Sequence, residues 1–307
     1  KTKTKTSLHG RNIMYIVLGK TGYIAEAFIA ELTNKGLDYI ALSRRDVDYA
    51  DYKTFSEYLD LNWSNFSKNS TIINCAGYTG KPNVDACEAN KDQAILGNVV
   101  LPLMLSGLCR ARGLVFVQIS SGCIYNGYDK YFSEEDEPNF TFNTGSFYSG
   151  TKELAERVIK DNSLCYIFRL RIPFDHKPSA RNYINKLLSY DKLIDMTNSL
   201  SHRGDFVKYC IDLMVDRAPF GIYNVTNKGG ITTREVVDLI KYHLRDNYVP
   251  VIAHKEFKFF EDYEAFEGVI KAPRSNCILD TSKIEKYIPI RSAEDALNDA
   301  LSKYAIS

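Results

Sequence analysis

Residues 17–25 read VLGKTGYIA. They close the apolar run IMYIVL (Ile13–Leu18) and open a stretch with helical spacing that reaches Asn34. This local order predicts a buried strand, a glycine turn and a helix over about Tyr23–Asn34. Gly19, Gly22 and Ala25 make G-x-x-G-x-x-A, a variant of the dinucleotide fingerprint. Gly19 permits the tight turn, Gly22 a close backbone approach to a pyrophosphate, and Ala25 tight helix–sheet packing. The helix N-terminus adds unpaired N–H groups and a dipole that favours phosphate. Lys20, Thr21, Tyr23 and Ile24 complete this set of cofactor-facing candidates. The same spacing also serves a plain strand–helix turn, so the rest of the chain has to decide between the two.

Outward from this unit the pattern repeats. YIALS, TIINCAG, LVFVQIS, CYIFRLRI and GIYNVT read as strands. Helices are predicted near Tyr52–Leu59, Asp92–Arg112 and Phe147–Asp161. Strands alternating with helices imply βαβ units. Continuous rather than alternating apolar strands imply burial on both faces. The expected class is α/β: a Rossmann-type doubly wound parallel sheet with a smaller C-terminal substrate-binding domain. The boundaries are residues 13–170 for the nucleotide domain, with a segment returning near 205–227. Residues 171–204 and 228–307 form the smaller domain. There, Thr232 stands three residues before Glu235, a capping-box start for a helix, while HKEFKFFEDYEAFEG (254–268) has no clean period. KTKTKTSLHGRN (1–12) lacks an apolar stretch and reads as a disordered tail.

Composition narrows the function. Net charge is +1 over 307 residues, with 45% hydrophobic and 25% charged residues. No strong field recruits nucleic acid or acidic membranes. No apolar run approaches the roughly 18 residues of a bilayer span. Seven cysteines without a C-x-x-C pair argue against a zinc site or a disulfide framework. They favour a reducing, cytoplasmic compartment. No metal is expected, and the five histidines fall in no motif.

Two further stretches carry chemistry. The second strand ends in Ser43, Arg44 and Arg45, where an acidic residue would grip a ribose 2′-hydroxyl; these residues suit a 2′-phosphate, hence NADP. GSFYSGTK holds Tyr148 and Lys152 four residues apart, on one helix face. A tyrosine with a pKa of roughly 10 is a poor acid–base group until a lysine ammonium lowers that value. Ser121, at the end of the strand before it, suits a substrate carbonyl. The next residue but one, Cys123 in SGCIYNG, reads on spacing alone as a buried inert thiol.

The glycine loop, NCAG, Ser121, Tyr148 and Lys152 in this order resemble the extended short-chain dehydrogenase/reductase superfamily. Within it the chain is similar to the dTDP-4-dehydrorhamnose reductase group, and most of all to its bifunctional nucleotide-rhamnose synthase/epimerase-reductases. AGYTGKPNVDACE, GCIYNG, EEDEPNFT, GSFYSGTK, LRIP, RNYINK and APRSNCILDTSK carry the resemblance over nearly the whole chain. It implies NADPH as cofactor, held also by Cys75, Ala76 and Gly77, and a homodimer. It implies epimerisation at C3 and C5 of a UDP-linked (or dTDP-linked) 4-keto-6-deoxyhexose, then reduction at C4, giving a nucleotide-activated L-rhamnose, with UDP-L-rhamnose the product expected here. Cys123 and Lys186 become the epimerising acid/base pair. Thr79, Lys81, Asn83, Arg171, Asn182 and Arg274 join Ser121, Cys123, Tyr148 and Lys186 as substrate contacts. A ketone at C4 acidifies the hydrogens on C3 and C5, so inverting either carbon requires a base on one face and a proton donor on the other.

The loop PNFTFNTGSFYS is longer than in the plant enzymes, which leaves open a 2-acetamido sugar with the same chemistry. A plain 4-reductase, and a non-catalytic NADP-binding regulatory subunit, are the other two readings.

Overall fold

The computed structural model describes residues 13–67, 69–81, 83–245 and 255–304. Residues 1–12 and His254 therefore lie outside the described residues.

Six parallel strands form the main sheet among the described residues: β1 (Tyr15–Leu18), β2 (Tyr39–Leu42), β3 (Thr71–Asn74), β4 (Val115–Ser121), β5 (Cys165–Leu170) and β6 (Gly221–Asn224). Their spatial order is β6-β5-β4-β3-β1-β2. The chain runs from β1 out to β2, then crosses back past β1 to β3. That reversal opens a crevice at the carboxyl ends of β1 and β3, where doubly wound sheets bind ligands. Every residue of β1 and β3 is buried, because helices cover both faces. One core layer holds Val17, Phe28, Ile73, Val117, Phe168 and Phe206; the other holds Ile16, Leu18, Phe55, Leu105, Phe116 and Ile167. Alternate residues of β1 thus feed opposite layers, as a period of two requires.

Helix Lys91–Arg112 is 22 residues long and apolar enough, by length and composition, to cross a membrane. The expectation that no such run exists is therefore corrected. In this fold the helix is a core element, with Leu101, Leu105, Leu108 and Cys109 buried against the sheet. A π-helical turn, Leu96–Val100, interrupts it.

A separate core lies beyond β5. Phe174, Ile184, Leu187, Val236, Val237, Ile240, Leu297 and Leu301 pack there. Helices Tyr183–Ser189, Thr233–Arg245 and Ala293–Ser302 supply most of it. The capping box is present: Glu235 N–H donates to Thr232 Oγ1 at 3.1 Å, and Thr232 N–H donates to Glu235 Oε2 at 2.7 Å. Within the stretch without a period, Lys258–Phe259 pairs in parallel with Lys192–Leu193, and Tyr263–Glu267 is a short helix. Helix Arg203–Val215 and β6 return to the main sheet. Ile284 and Ile288 also pack into the first sheet layer, although the sequence pattern groups them with the smaller unit. Their spacing of four places both on one face, which finds its apolar partner on the sheet.

Candidate active site

Between the sheet's carboxyl edge and the smaller unit lies a cleft of about 610 Å³. Of the residues singled out in the sequence, Gly22, Tyr23, Ile24, Cys75, Ala76, Gly77, Thr79, Asn83, Ser121, Cys123, Tyr148, Lys152, Arg171, Lys186 and Arg274 line it. Gly19, Lys20, Thr21, Ser43, Arg44, Arg45, Lys81 and Asn182 do not.

The glycine turn is built for close approach. Gly19 has φ +82°, and a Cβ there would stand 3.1 Å from the Ala76 nitrogen. Gly19 and Lys20 N–H donate to Leu42 O at 2.9 and 3.1 Å, tying the turn to the tip of β2. Gly22 caps helix Tyr23–Asn34 without a side-chain acceptor. The first-turn N–H groups therefore stay available for phosphate. These features fit a dinucleotide. At the β2 tip, Lys20 reaches Asp46 at 2.8 Å rather than entering the cleft.

β4 delivers Ser121, and a 3₁₀ turn, Gly122–Ile124, follows. Gly122 is required there, since a Cβ would stand 2.6 Å from Leu279 Cδ1. This close packing turns the chain so that Cys123 faces the cleft, half-buried rather than lost in the core. Cys123 N–H donates to Ser121 Oγ at 3.3 Å, leaving the serine hydroxyl hydrogen free for a substrate oxygen.

Tyr148 and Lys152 come from helix Phe147–Ile159, capped by Ser146, whose Oγ accepts from Ser149 N–H at 3.1 Å. The Lys152 ammonium donates to Ile119 O at 3.0 Å. Burial lowers its pKa. The Tyr148 phenol is pushed well above its ordinary value by burial, then by Cys123 and Cys87, with Arg181 opposing. This departs from the expected lowering by lysine. Here the lysine charge is spent on a backbone carbonyl, and the tyrosine is held as a proton donor.

The smaller unit supplies the facing residues. Burial and the Arg181 and Arg274 guanidiniums lower the Lys186 pKa, so its amine loses its proton more readily than an ordinary lysine's. Arg171 donates to Asn198 Oδ1 and to Ser275 O at 2.7 Å, while its buried Nε has no partner among the described residues. Arg274 enters the cleft with Nη1 already on Asp85 Oδ1, at 2.7 Å.

Two substrate assignments are corrected. Asn182 is fully buried: its Oδ1 accepts from Ile184 N–H at 3.0 Å, and its Nδ2 donates to Asp175 O and Lys177 O at 2.7 and 2.9 Å. It caps helix Tyr183–Ser189 and folds the loop before it. Its neighbour Arg181 lines the cleft instead. Lys81 is exposed outside the cleft.

Asn98 was missed. It sits in the π turn; its Oδ1 accepts from Tyr78 N–H at 2.7 Å, and its Nδ2 donates to Thr151 Oγ1 at 3.1 Å. It thereby joins the loop after β3 to the helix bearing Tyr148. A lone asparagine inside the apolar run of residues 94–105 was the available signal. Asp175, His176 and His202 bring ligand-type atoms within 4.8 Å of one another. Asp175 is already paired with Arg203 at 2.9 Å and His176 at 2.7 Å, and His202 Nδ1 accepts from Asp205 N–H at 3.2 Å.

A glycine turn on a parallel sheet, with Ser121, Tyr148 and Lys152 at the ends of the next elements, defines a nucleotide-dependent oxidoreductase of the short-chain dehydrogenase/reductase class. Within that class the chain belongs to the RmlD substrate binding domain family, whose model matches residues 13–306. It is an oxidoreductase of the dTDP/UDP-4-keto-rhamnose reductase group. A bifunctional dTDP-4-dehydrorhamnose 3,5-epimerase/dTDP-4-dehydrorhamnose reductase of Arabidopsis thaliana is 34% identical over 284 residues, 90% of this chain and 87% of that protein. A trifunctional UDP-glucose 4,6-dehydratase/UDP-4-keto-6-deoxy-D-glucose 3,5-epimerase/UDP-4-keto-L-rhamnose-reductase of the same plant is 32% identical; the match covers 96% of this chain but only 42% of that longer protein. The L780 UDP-rhamnose synthase of Acanthamoeba polyphaga mimivirus shares the fold, with TM-score 0.83 at 22% identity, over 95% of this chain and 99% of that one.

Proposed function

We propose that this chain epimerises C3 and C5 of a UDP-linked 4-keto-6-deoxyhexose and then reduces C4 with NADPH, yielding UDP-L-rhamnose. One observation carries the epimerase half. Cys123, from the turn after β4, and Lys186, from the smaller unit, line the same cleft as Tyr148.

The uridine diphosphate and sugar are assigned to the side of the cleft lined by Arg181, Lys186 and Arg274. The cofactor is assigned to the glycine turn, with Lys152 and the Cys75–Gly77 backbone along its course; reductases of this family use NADPH. Ser121 and Tyr148 direct O–H groups at the C4 oxygen, where negative charge grows during both half-reactions. In epimerisation, one of Cys123 and Lys186 takes the C–H proton. The electron pair spreads onto O4, and the other group returns a proton from the opposite face. The lowered Lys186 pKa makes its amine a readier base than an ordinary lysine's, and its protonated form a readier donor. NADPH, when bound, supplies the hydride to C4. Tyr148 then gives its proton to O4, a step suited to a phenol that burial keeps protonated.

The test is deuterium exchange. Incubation with UDP-4-keto-6-deoxyglucose in D₂O without NADPH should place deuterium at C3 and C5. Cys123→Ala should abolish this uptake while still oxidising NADPH with UDP-4-keto-L-rhamnose. Unchanged uptake in the variant would remove Cys123 from the reaction. Wild-type turnover without any uptake would make the chain a plain 4-reductase.

A further inference from the structure

Asp85 and Glu88 belong to the stretch VDACE, Val84–Glu88, and do not line the cleft. Each nevertheless holds an element that does. Asp85 Oδ1 accepts from Arg274 Nη1 at 2.7 Å and from Ala272 N–H at 3.1 Å. Burial pushes the Asp85 carboxyl up, but the Arg274 guanidinium and the Ala272 and Lys271 N–H groups bring it below its ordinary value. It therefore meets Arg274 as an anion. Three residues on, Glu88 Oε1 accepts from Phe147 N–H at 2.7 Å. Phe147 opens the helix that bears Tyr148.

One helical turn, Ala86–Ala89, joins the two acids, and Cys87 within it is fully buried. Glu88 satisfies one of the N–H groups that the first turn of a helix leaves open. A carboxylate there also meets the positive end of the helix dipole. Ser146 Oγ takes a second of these groups, from Ser149, at 3.1 Å. The helix start that sets the direction of Tyr148 is thus held by a side chain from the loop after β3. Arg274 comes from the opposite lip. Its bonds to Asp85 and to Ala272 O, the latter at 2.5 Å, both use Nη1. Nε and Nη2 are the further donors of a guanidinium that lines the cleft. An arginine held by one edge presents the other without the rotamer freedom that an unheld side chain loses on binding. Arg181 ties the same loop to the smaller unit at a second point, with Nη2 donating to Gly80 O at 3.2 Å.

We propose that Asp85 and Glu88 are positioning residues on one turn that serve different steps of the reaction. Asp85 acts through Arg274 and sets how tightly the nucleotide sugar is held. Glu88 acts through the first turn of helix Phe147–Ile159 and sets where the Tyr148 hydroxyl stands relative to C4. Neither carboxylate exchanges a proton with the sugar. The diphosphate takes the Arg274 donors that Asp85 leaves open, so the tie between the two lips persists while the sugar is bound.

This inference rests on a nucleotide sugar lying beside Arg274, and the experiment separates the two. Full-chain variants are compared by calorimetry with UDP and with NADPH, and by steady-state reduction of UDP-4-keto-L-rhamnose. Asp85→Ala should raise the UDP Kd and the sugar KM about tenfold, the scale of ordering one arginine, and change kcat less than about twofold. Glu88→Ala should do the reverse, lowering kcat at least about tenfold while KM and the UDP Kd move less than about twofold. Asp85→Asn and Glu88→Gln keep the accepting oxygen and should each recover most of the loss. Where an alanine variant no longer binds NADPH, Asp85→Ser or Glu88→Asp, too short to reach its partner, replaces it with the same expectation. If Asp85→Ala binds UDP as tightly as Asp85→Asn, or if both alanine variants shift KM and kcat together, the turn is structural only and the inference fails. If the wild-type chain binds NADPH but not UDP, the nucleotide-sugar reading itself fails and the inference with it.

Discussion

Arg169 forks onto Glu156 inside the core. Its Nε lies 3.1 Å from both carboxylate oxygens, its Nη2 lies 2.7 Å from Oε2, and the side chains are 2% and 6% exposed. Ser120 Oγ donates to the same carboxylate at 2.5 Å. Glu156 stands one helical turn beyond Lys152, and Ser120 precedes Ser121. Glu156 therefore clamps the helix bearing Tyr148 and Lys152 to β5 through Arg169 and to the strand bearing Ser121 through Ser120. Glu156→Ala leaves a buried guanidinium unpaired and should cost about 3–5 kcal/mol in urea unfolding. Combining Glu156→Leu with Arg169→Met should recover much of that loss. A single-variant cost below about 1 kcal/mol would show that the clamp carries no stability.

Tyr148→Phe should lower the rate of C4 reduction by about 10²–10⁴ and leave NADPH affinity, measured by calorimetry, near wild type. Because the Tyr148 pKa is raised, its acid form persists beyond the ordinary value of about 10. The reduction rate should then show no alkaline limb from this group up to about pH 10. A limb near pH 8 would mean that Lys152 lowers the phenol after all, once ligands are bound.

Lys186 yields a prediction opposite in sign for stability and activity. Its folded pKa is lowered, so the unfolded chain binds the proton more tightly. The resulting penalty is full below the folded pKa and fades as pH rises towards the unfolded value of about 10.4. Lys186→Met should therefore raise Tm by about 2 °C near neutral pH, with the gain shrinking as pH approaches 10, and should abolish deuterium exchange. A fall in Tm at pH 7 would contradict the buried-charge account.

Asn182→Ala removes a helix cap and three further hydrogen bonds, two of them buried, and should cost about 1–3 kcal/mol. Its KM for the nucleotide sugar should change less than twofold. A tenfold rise in KM would return Asn182 to the substrate.

Much of the fold was legible because its signals are local. The turn at Gly19, the limits of helix Tyr23–Asn34 and the Thr232–Glu235 box each depend on a few adjacent residues. The Asn182 assignment erred by one position. The signal against it was present, since asparagine before a helical run is a favoured cap, but RNYINK alone did not say which of Arg181 and Asn182 faced the cleft. Asn98 was hidden for a related reason: its partners, Tyr78 and Thr151, lie 20 and 53 residues away.

The sequence by itself determined the alternation of strands and helices, the glycine turn, and the shared face of Tyr148 and Lys152, because periodicity and spacing act over one or two turns of chain. Only the tertiary structure decided how charge is distributed at the site. Lys152 satisfies Ile119 O rather than the phenol, and Asp46 occupies the donors that Ser43 and Lys20 would otherwise offer. Leu279 presses on Gly122 and so turns Cys123 towards the cleft. Each of these depends on groups brought together by sheet order and loop packing, and burial sets what each proton costs to move.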